Sequence, residues 1–347
     1  MTGTEAQRIL RVFPRRTTAT PTDNRAFVGN PPMFWPDADE VHVSVTFTWD
    51  RAEGERLAEA WAATGLPVKI GGPAYDEAGG EFVSGRYLKS GYTITSRGCP
   101  NHCWFCAVPK REGGLRELPI VDGWNVVDDN LLACSETHIN AVFAMLTRQE
   151  HAPVFSGGLE AKRLRPWHVE LLADRRPQRM YFAYDTPDDL DPLRRAGAML
   201  AEAGFNGSRH NVCAYVLCGY PGDAMDKAEK RMRESWAAGF FPFAMLYRDE
   251  AGKTQRDWRA FQRTWTRAPA VSTKLAELTQ VADAYSERAE LEALKGRRCT
   301  NCRSVASVTM TDPPQPTVWA CGNWAVPVVS TSDPHFAYSE WQAKEPP

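Results

Sequence analysis

Three thiols fall within eight residues in the segment Ser96-Arg97-Gly98-Cys99-Pro100-Asn101-His102-Cys103-Trp104-Phe105-Cys106. Soft thiolate ligands on one short loop can hold three irons of a cubane iron–sulfur cluster and leave the fourth iron open to a small molecule. Zinc is the competing chemistry. It takes four ligands as a rule, and His102 sits badly between the thiols for a closed tetrahedral site.

A second group, Cys299-Thr300-Asn301-Cys302 followed by Cys321, has the shape of a metal knuckle: two ligands on one turn and a third returning from a later loop. Three readings stay open for it. The thiols hold an auxiliary iron–sulfur cluster, whose unligated iron would bind substrate or pass electrons; or zinc, with a fourth ligand such as His335; or nothing. A small loop-rich segment lacks a core of its own, which favours a metal. Cys134, Cys213 and Cys218 fall within predicted regular elements and are expected to be small buried residues. Nine cysteines, an odd number with two close groupings, suit metal binding in a reducing compartment better than a disulfide framework.

The elements that position the first loop follow from hydrophobic periodicity. Residues 41–48 read as a strand, 51–64 as an amphipathic helix and 68–72 as a second strand, one βαβ unit. Residues 1–38, rich in Pro, Thr and Arg, show no period and are expected to lie over the surface of something else. Further strands are predicted at 92–95, 153–156, 180–184, 212–217 and 241–246. Helices are predicted at 129–149, 166–173, 189–203, 223–237, 254–264 and 269–294. Strands alternating with helices imply α/β architecture with a parallel sheet and right-handed crossovers. Boundaries are expected to give an N-terminal extension 1–88, a core 89–295 and a Cys-containing C-terminal extension 296–347.

The Cys-x3-Cys-x2-Cys pattern, with aromatic Phe105 before its last cysteine, resembles the signature of the radical SAM superfamily. That resemblance covers about residues 90–265. It implies a partial (β/α) barrel and a 4Fe-4S cluster on Cys99, Cys103 and Cys106. It also implies S-adenosylmethionine, cleaved by one electron to methionine and a 5'-deoxyadenosyl radical that abstracts hydrogen from substrate. A one-electron reductant such as flavodoxin or ferredoxin is the implied partner.

Ser156-Gly157-Gly158-Leu159-Glu160 resembles the family's Gly-Gly-Glu element, which contacts the cofactor's amino group, with Leu159 inserted before the acid. Asp185 matches the place where ribose hydroxyls bind; the competing role is a helix N-cap. The turn after Val216-Leu217-Cys218, running from Gly219 to Asp223, resembles the family's strand-to-turn element. There Leu217, Gly219 and Met245 are expected beside the adenine. One clear strand separates Gly158 from Gly219, so the barrel is one unit short or a strand is missing from the count. The N-terminal unit is similar to a fragment of the domain preceding the barrel in cobalamin-dependent members, but too short to be the whole, and no cobalamin is expected.

Beyond these, Tyr247, Arg248 and Asp249 end a strand on the ligand side of a parallel sheet and could touch substrate or form a surface ion pair. Lys110, Arg111 and Arg116 read as solvated loop charges, and Trp258 and Trp265 as core. With 41 basic and 43 acidic residues, the formal charge of −2 gives no general reason to bind a polyanion. No run approaches a membrane span and no signal-peptide pattern opens the chain, so a cytoplasmic enzyme is expected. Substrate class is not encoded in these motifs: small molecule, peptide and nucleotide all fit. Two rivals share the residues: a methyl- or sulfur-transferase using an auxiliary cluster or cobalamin, and a zinc- or cluster-binding structural or regulatory protein.

Overall fold

The structure, a computed structural model, describes residues 8–75, 83–207, 210–249 and 251–277, and the backbone of three strands between 305 and 329. Met1–Ala268 and Pro269–Pro347 form two compact units.

The first unit opens with β1 (Ile9–Phe13), β2 (Ala26–Val28), β3 (Glu40–Ser44), helix α1 (Arg51–Ala62) and β4 (Val68–Gly71). They make one fully parallel sheet in the order β2-β1-β3-β4. The sequence suggests only one βαβ unit here. In fact β1 and β2, inside the stretch with no evident period, double the sheet. Their inclusion follows from burial: Leu10 and Val12 of β1 alternate inward and pack with Val41, Val43, Leu57 and Trp61. All of these are at most 1% exposed, and burying a side chain of that size contributes about 1.5–3 kcal/mol. Trp61 also donates from Nε1 to the Gly29 carbonyl at 3.1 Å, tying α1 to the end of β2.

A second sheet follows from β5 (Tyr92–Thr93), the short ribbon β6 (Ser96–Arg97) and β7 (Arg116–Glu117) with α2 (Val108–Arg111) between them, β8 (Asn125–Val126), α3 (Glu136–Thr147), β9 (Val154–Phe155), α4 (Pro166–Arg175), β10 (Arg179–Ala183), α5 (Leu190–Glu202), β11 (Val212–Cys218), α6 (Met225–Ala237), β12 (Phe241–Leu246) and α7 (Arg256–Thr264). The strands β5-β8-β9-β10-β11-β12 pair in chain order and all in parallel. This is the α/β arrangement that strand–helix alternation implies. Of the two expected alternatives, a missed strand is what the sheet shows: it has six strands, and β8, which lies before Gly158, is the one absent from the sequence count, while β10 remains the one strand between Gly158 and the strand ending at Gly219. The Gly-Gly element therefore follows the third strand, β9, not the strand next after the cysteine loop.

Two faces emerge in the wide part of this sheet. Met180, Phe182, Ala214, Val216 and Ala244 are fully buried on one. On the other, Tyr181 stacks on Tyr215 at 4.3 Å and Phe243 meets both edge-on. Trp258 and Trp265 are buried, as expected of core, and Cys134, Cys213 and Cys218 are buried too.

In the second unit, residues 269–277 are helical, and the rest of the helix expected to 294 lies outside the described residues. Strands β13 (Val305–Thr309), β14 (Thr317–Cys321) and β15 (Pro327–Val329) form an antiparallel meander. Among the described residues no helix is long and apolar enough to cross a membrane.

Candidate functional site

The cysteine loop leaves the sheet after β5 and is closed at its base by the β6–β7 ribbon, where Ser96 pairs with Glu117 and Arg97 with Arg116. The residues that hold this base come from the end of β8. Asp128, 1% exposed, accepts hydrogen bonds from Thr95 N (2.6 Å), Thr95 Oγ1 (2.5 Å) and Ser96 Oγ (2.8 Å). Burial pushes its carboxyl above the ordinary value against the pull of these donors. Asp129 accepts from Gly98 N at 2.9 Å and pairs with Arg97 and Arg111. Two adjacent acids thus fix the backbone just before the first cysteine.

Cys103 is exposed, while Cys99 and Cys106 are half-buried. A turn bond from Cys106 N to Cys103 O (3.0 Å) holds the last two together. Burial, then the neighbouring thiols Cys106 and Cys99, and beyond them Asp185 and Asp189, raise the Cys103 pKa. The Cys99 sulfur receives two N–H groups, Asn101 N at 3.5 Å and Asn130 Nδ2 at 3.4 Å. Among the described residues no three His, Cys, Asp or Glu side chains are drawn into a closed metal cage. The donor set nevertheless fits an iron–sulfur cluster: three thiols on one loop, one open to solvent, with N–H donors turned to sulfur. His102 is exposed.

The Gly-Gly element lies beside this loop. Gly157 packs on the backbone of β8's exit: a Cβ there would stand 2.2 Å from the Asp128 carbonyl oxygen. Gly158 adopts φ +107° in open space. Ser156 Oγ donates to Asn125 Oδ1 at 2.5 Å. The inserted Leu159 is buried and its N–H bonds Tyr181 O on β10 (2.7 Å). With Leu159 anchored inward, Glu160 turns toward the cysteines: its Oε2 accepts from Asn130 Nδ2 (2.7 Å) and Arg163 Nε (2.6 Å).

At the far strands, Ala183, Leu217 and Met245 share one face and are partly or well exposed, Met245 at 42%. Asp185, just past β10, accepts from Leu217 N at 3.2 Å. Burial and the charge of Asp189 raise its carboxyl to about 7. The N-cap alternative goes to its neighbours instead, since Thr186 N and Oγ1 both donate to Asp189 Oδ2. Gly219 sits under Leu246 and Trp258, with its N–H on Asp223 Oδ2 (2.9 Å). Asp223 is in turn paired with the buried Arg231 (2.8 Å), so Gly219 is explained by turn packing.

Trp104 is 61% exposed and bridges the cysteine loop to the far strands. It meets Phe105 at 5.4 Å, Tyr220 at 5.5 Å and Tyr247 at 6.1 Å. Arg248 lies over the Trp49 ring at 5.1 Å, and Asp249 accepts from Lys253 N. Lys110 and Arg116 are exposed, as expected of solvated charges, Arg116 pairing with Glu112 at the surface, whereas Arg111 is half-buried between Glu112 and Asp129.

A cavity of 390 Å3 opens at the ends of β1, β3 and β4, with Arg15, Phe47, Lys69, Arg97 and Arg111 among its walls. The chain leaves β1 for β2 on one side and reaches β3 on the other, so the cavity lies at a topological switch point, where parallel sheets bind ligands. Among the described residues its one imidazole, His42, is engaged at both nitrogens, by Tyr87 Oη (2.6 Å) and Glu40 Oε1 (2.7 Å).

The residues that sequence reasoning passes over are Asp128, Asp129 and Asn130. A strand ending in three polar residues is their only signal, and it reads equally as a helix start. Cys299, Cys302 and His335 lie outside the described residues; of Cys321 only the backbone, at the end of β14, is described. Neither a protein-family model nor a curated protein matches the chain. Among solved structures, the radical S-adenosylmethionine methyltransferase TsrM from Kitasatospora setae, with cobalamin and a 4Fe-4S cluster bound, is similar at 12% identity over 61% of this chain, with a TM-score of 0.42. The chain spans 64% of that protein's length.

Proposed function

We propose that this chain is a radical SAM enzyme. The observation that carries the reading is the meeting, at one end of a six-stranded parallel sheet, of a three-cysteine loop with Asn130 and Glu160 on one side and Asp185 on the other. When bound, a 4Fe-4S cluster supplies the one electron that splits S-adenosylmethionine into methionine and a 5'-deoxyadenosyl radical, which takes a hydrogen atom from the substrate. Cys99, Cys103 and Cys106 would hold three irons, with Phe105 beside them. Glu160, behind Ser156, Gly157 and Gly158, is the acceptor for an ammonium group. Asp185 is the acceptor for a ribose hydroxyl, and Leu217 and Met245, with Gly219 at the strand end, form an apolar shelf for a purine. The exposed side of Cys103 suits electron entry from a flavodoxin or ferredoxin.

Anaerobic reconstitution with iron and sulfide, followed by dithionite and S-adenosylmethionine, is expected to yield 5'-deoxyadenosine, and Cys103→Ala to abolish it. A wild-type protein that binds zinc in preference to iron, or makes no 5'-deoxyadenosine, overturns the proposal. The 390 Å3 cavity favours a second reading, a methyl or sulfur transfer that draws on a second bound reagent. A ligand there would meet cations and aromatic walls, not a free imidazole, and methylated or thiolated product distinguishes this outcome.

A further inference from the structure

We infer that Asn130 is a positioning residue that sets the reduction potential of the cluster, an inference that rests on the function proposed above. Asn130 follows β8 and is 4% exposed. Its amide nitrogen carries two hydrogens, and both are in use: one toward Glu160 Oε2 at 2.7 Å, the other toward Cys99 Sγ at 3.4 Å. The orientation of the amide follows from chemistry. Glu160 as a carboxylate has no hydrogen to give, so the nitrogen must face it, and Arg163 Nε at 2.6 Å holds that carboxylate in place.

The same orientation leaves Asn130 Oδ1 buried with no partner. A buried acceptor left without a partner is destabilising. Turning the amide over would offer Oδ1 to a carboxylate and to a thiolate, both acceptors, so the side chain keeps the orientation that feeds the sulfur. The neighbouring carboxylate, itself pinned by an arginine, is what makes this the single workable arrangement.

An N–H group directed at a cluster thiolate stabilises negative charge on sulfur, and reduction adds negative charge. Asn130 therefore favours the reduced state, and removing it makes the cluster harder to reduce. Leu is close to Asn in shape and donates nothing.

The test uses full-length protein reconstituted anaerobically, with iron and sulfide counted and the midpoint potential read from an EPR-monitored dithionite titration. Asn130→Leu is expected to keep wild-type iron and sulfide while the reduced-to-oxidised ratio at fixed potential falls about tenfold, which is 59 mV for a one-electron couple. Asn130→Ser, which keeps a shorter donor, is expected to fall between the two and carries the comparison if the Leu variant takes up no iron. A wild-type midpoint in an iron-loaded Leu variant, or in the Ser variant when only that one loads, overturns the role of Asn130 and leaves the cluster standing. Loss of iron from both variants assigns Asn130 to cluster retention and also overturns it. Absence of iron and sulfide from the wild type is the separate failure, that of the proposed function.

Discussion

Replacing Gly157 by Ala forces a methyl group into the contact between β9's exit and the backbone that carries Asp128. The added Cβ would lie 2.2 Å from the Asp128 carbonyl oxygen, 2.5 Å from the Val127 carbonyl carbon and 2.6 Å from Asp128 N. Those separations are roughly 1 Å or more short of van der Waals distance, and the obstacle is backbone, which cannot rotate away as a side chain would. Overpacking of this kind costs about 2–3 kcal/mol, which for a unit of this size lowers the unfolding temperature by about 4–5 °C. The displaced residues anchor Thr95, Ser96 and Gly98, so the second consequence is poorer retention of iron by the cysteine loop. Gly158→Ala is the matched control. It also costs about 1–3 kcal/mol, through the strained φ of +107°, but its Cβ meets nothing within 4 Å and leaves β8's exit in place. Anaerobic thermal denaturation and iron and sulfide counts on both variants check this. Wild-type stability and full iron in Gly157→Ala, or equal iron loss in the two variants, refutes the reasoning.

Asp128→Ala removes the shared acceptor of the Thr95 N–H, the Thr95 hydroxyl and the Ser96 hydroxyl in a buried site and is expected to destabilise by about 2–4 kcal/mol, measured by denaturant unfolding. Asp185, raised to about 7 from an ordinary 3.8, keeps a proton in the folded chain that the unfolded chain releases between about pH 4 and 7. Stability therefore declines as pH rises through that window, by up to about 4 kcal/mol, and Asp185→Asn flattens the profile; an unchanged slope counts against the raised carboxyl. Trp104→Ala, at a site 61% exposed, is expected to change stability by less than about 1 kcal/mol while speeding tryptic cleavage after Lys110 and Arg111, because the loop loses its contact with Tyr220 and Tyr247. Iron content of a Cys299→Ala, Cys302→Ala double variant separates one cluster from two: about four irons in both proteins, or about eight falling to four.

The long elements were legible from sequence because their patterns run far enough to be unambiguous: β11 and β12 are unbroken apolar runs of seven and six residues, and α5 and α6 repeat their apolar face through three turns. The short strands were not. β8 comprises only Asn125 and Val126, too few residues for alternation to register, and the polar run after it shares its composition with a helix start. β1 carries Arg11 between its inward-facing residues and lies in a stretch whose Pro, Thr and Arg content argues for loop, so its strand character is decided by packing on β3. At the site, motif order located the loops but not their physical roles. Gly157 and Gly219 are small for the sake of their own neighbours, and only three-dimensional contact shows that Asn130 faces Cys99.

Pairing in chain order has a consequence during synthesis. Each βα unit can dock on the one before it as it leaves the ribosome, but the cysteine loop emerges early and Tyr247, which its Trp104 meets in the finished fold, follows 143 residues later. At about 5–20 residues per second, that interval lasts roughly 7–30 s. Throughout it the loop that carries Cys99, Cys103 and Cys106 lacks that contact on a nascent chain, open to oxidants and to scavenging metals. Yield of intact protein should therefore depend on the redox state of the cell while the chain is being made, independently of how stable the finished fold is.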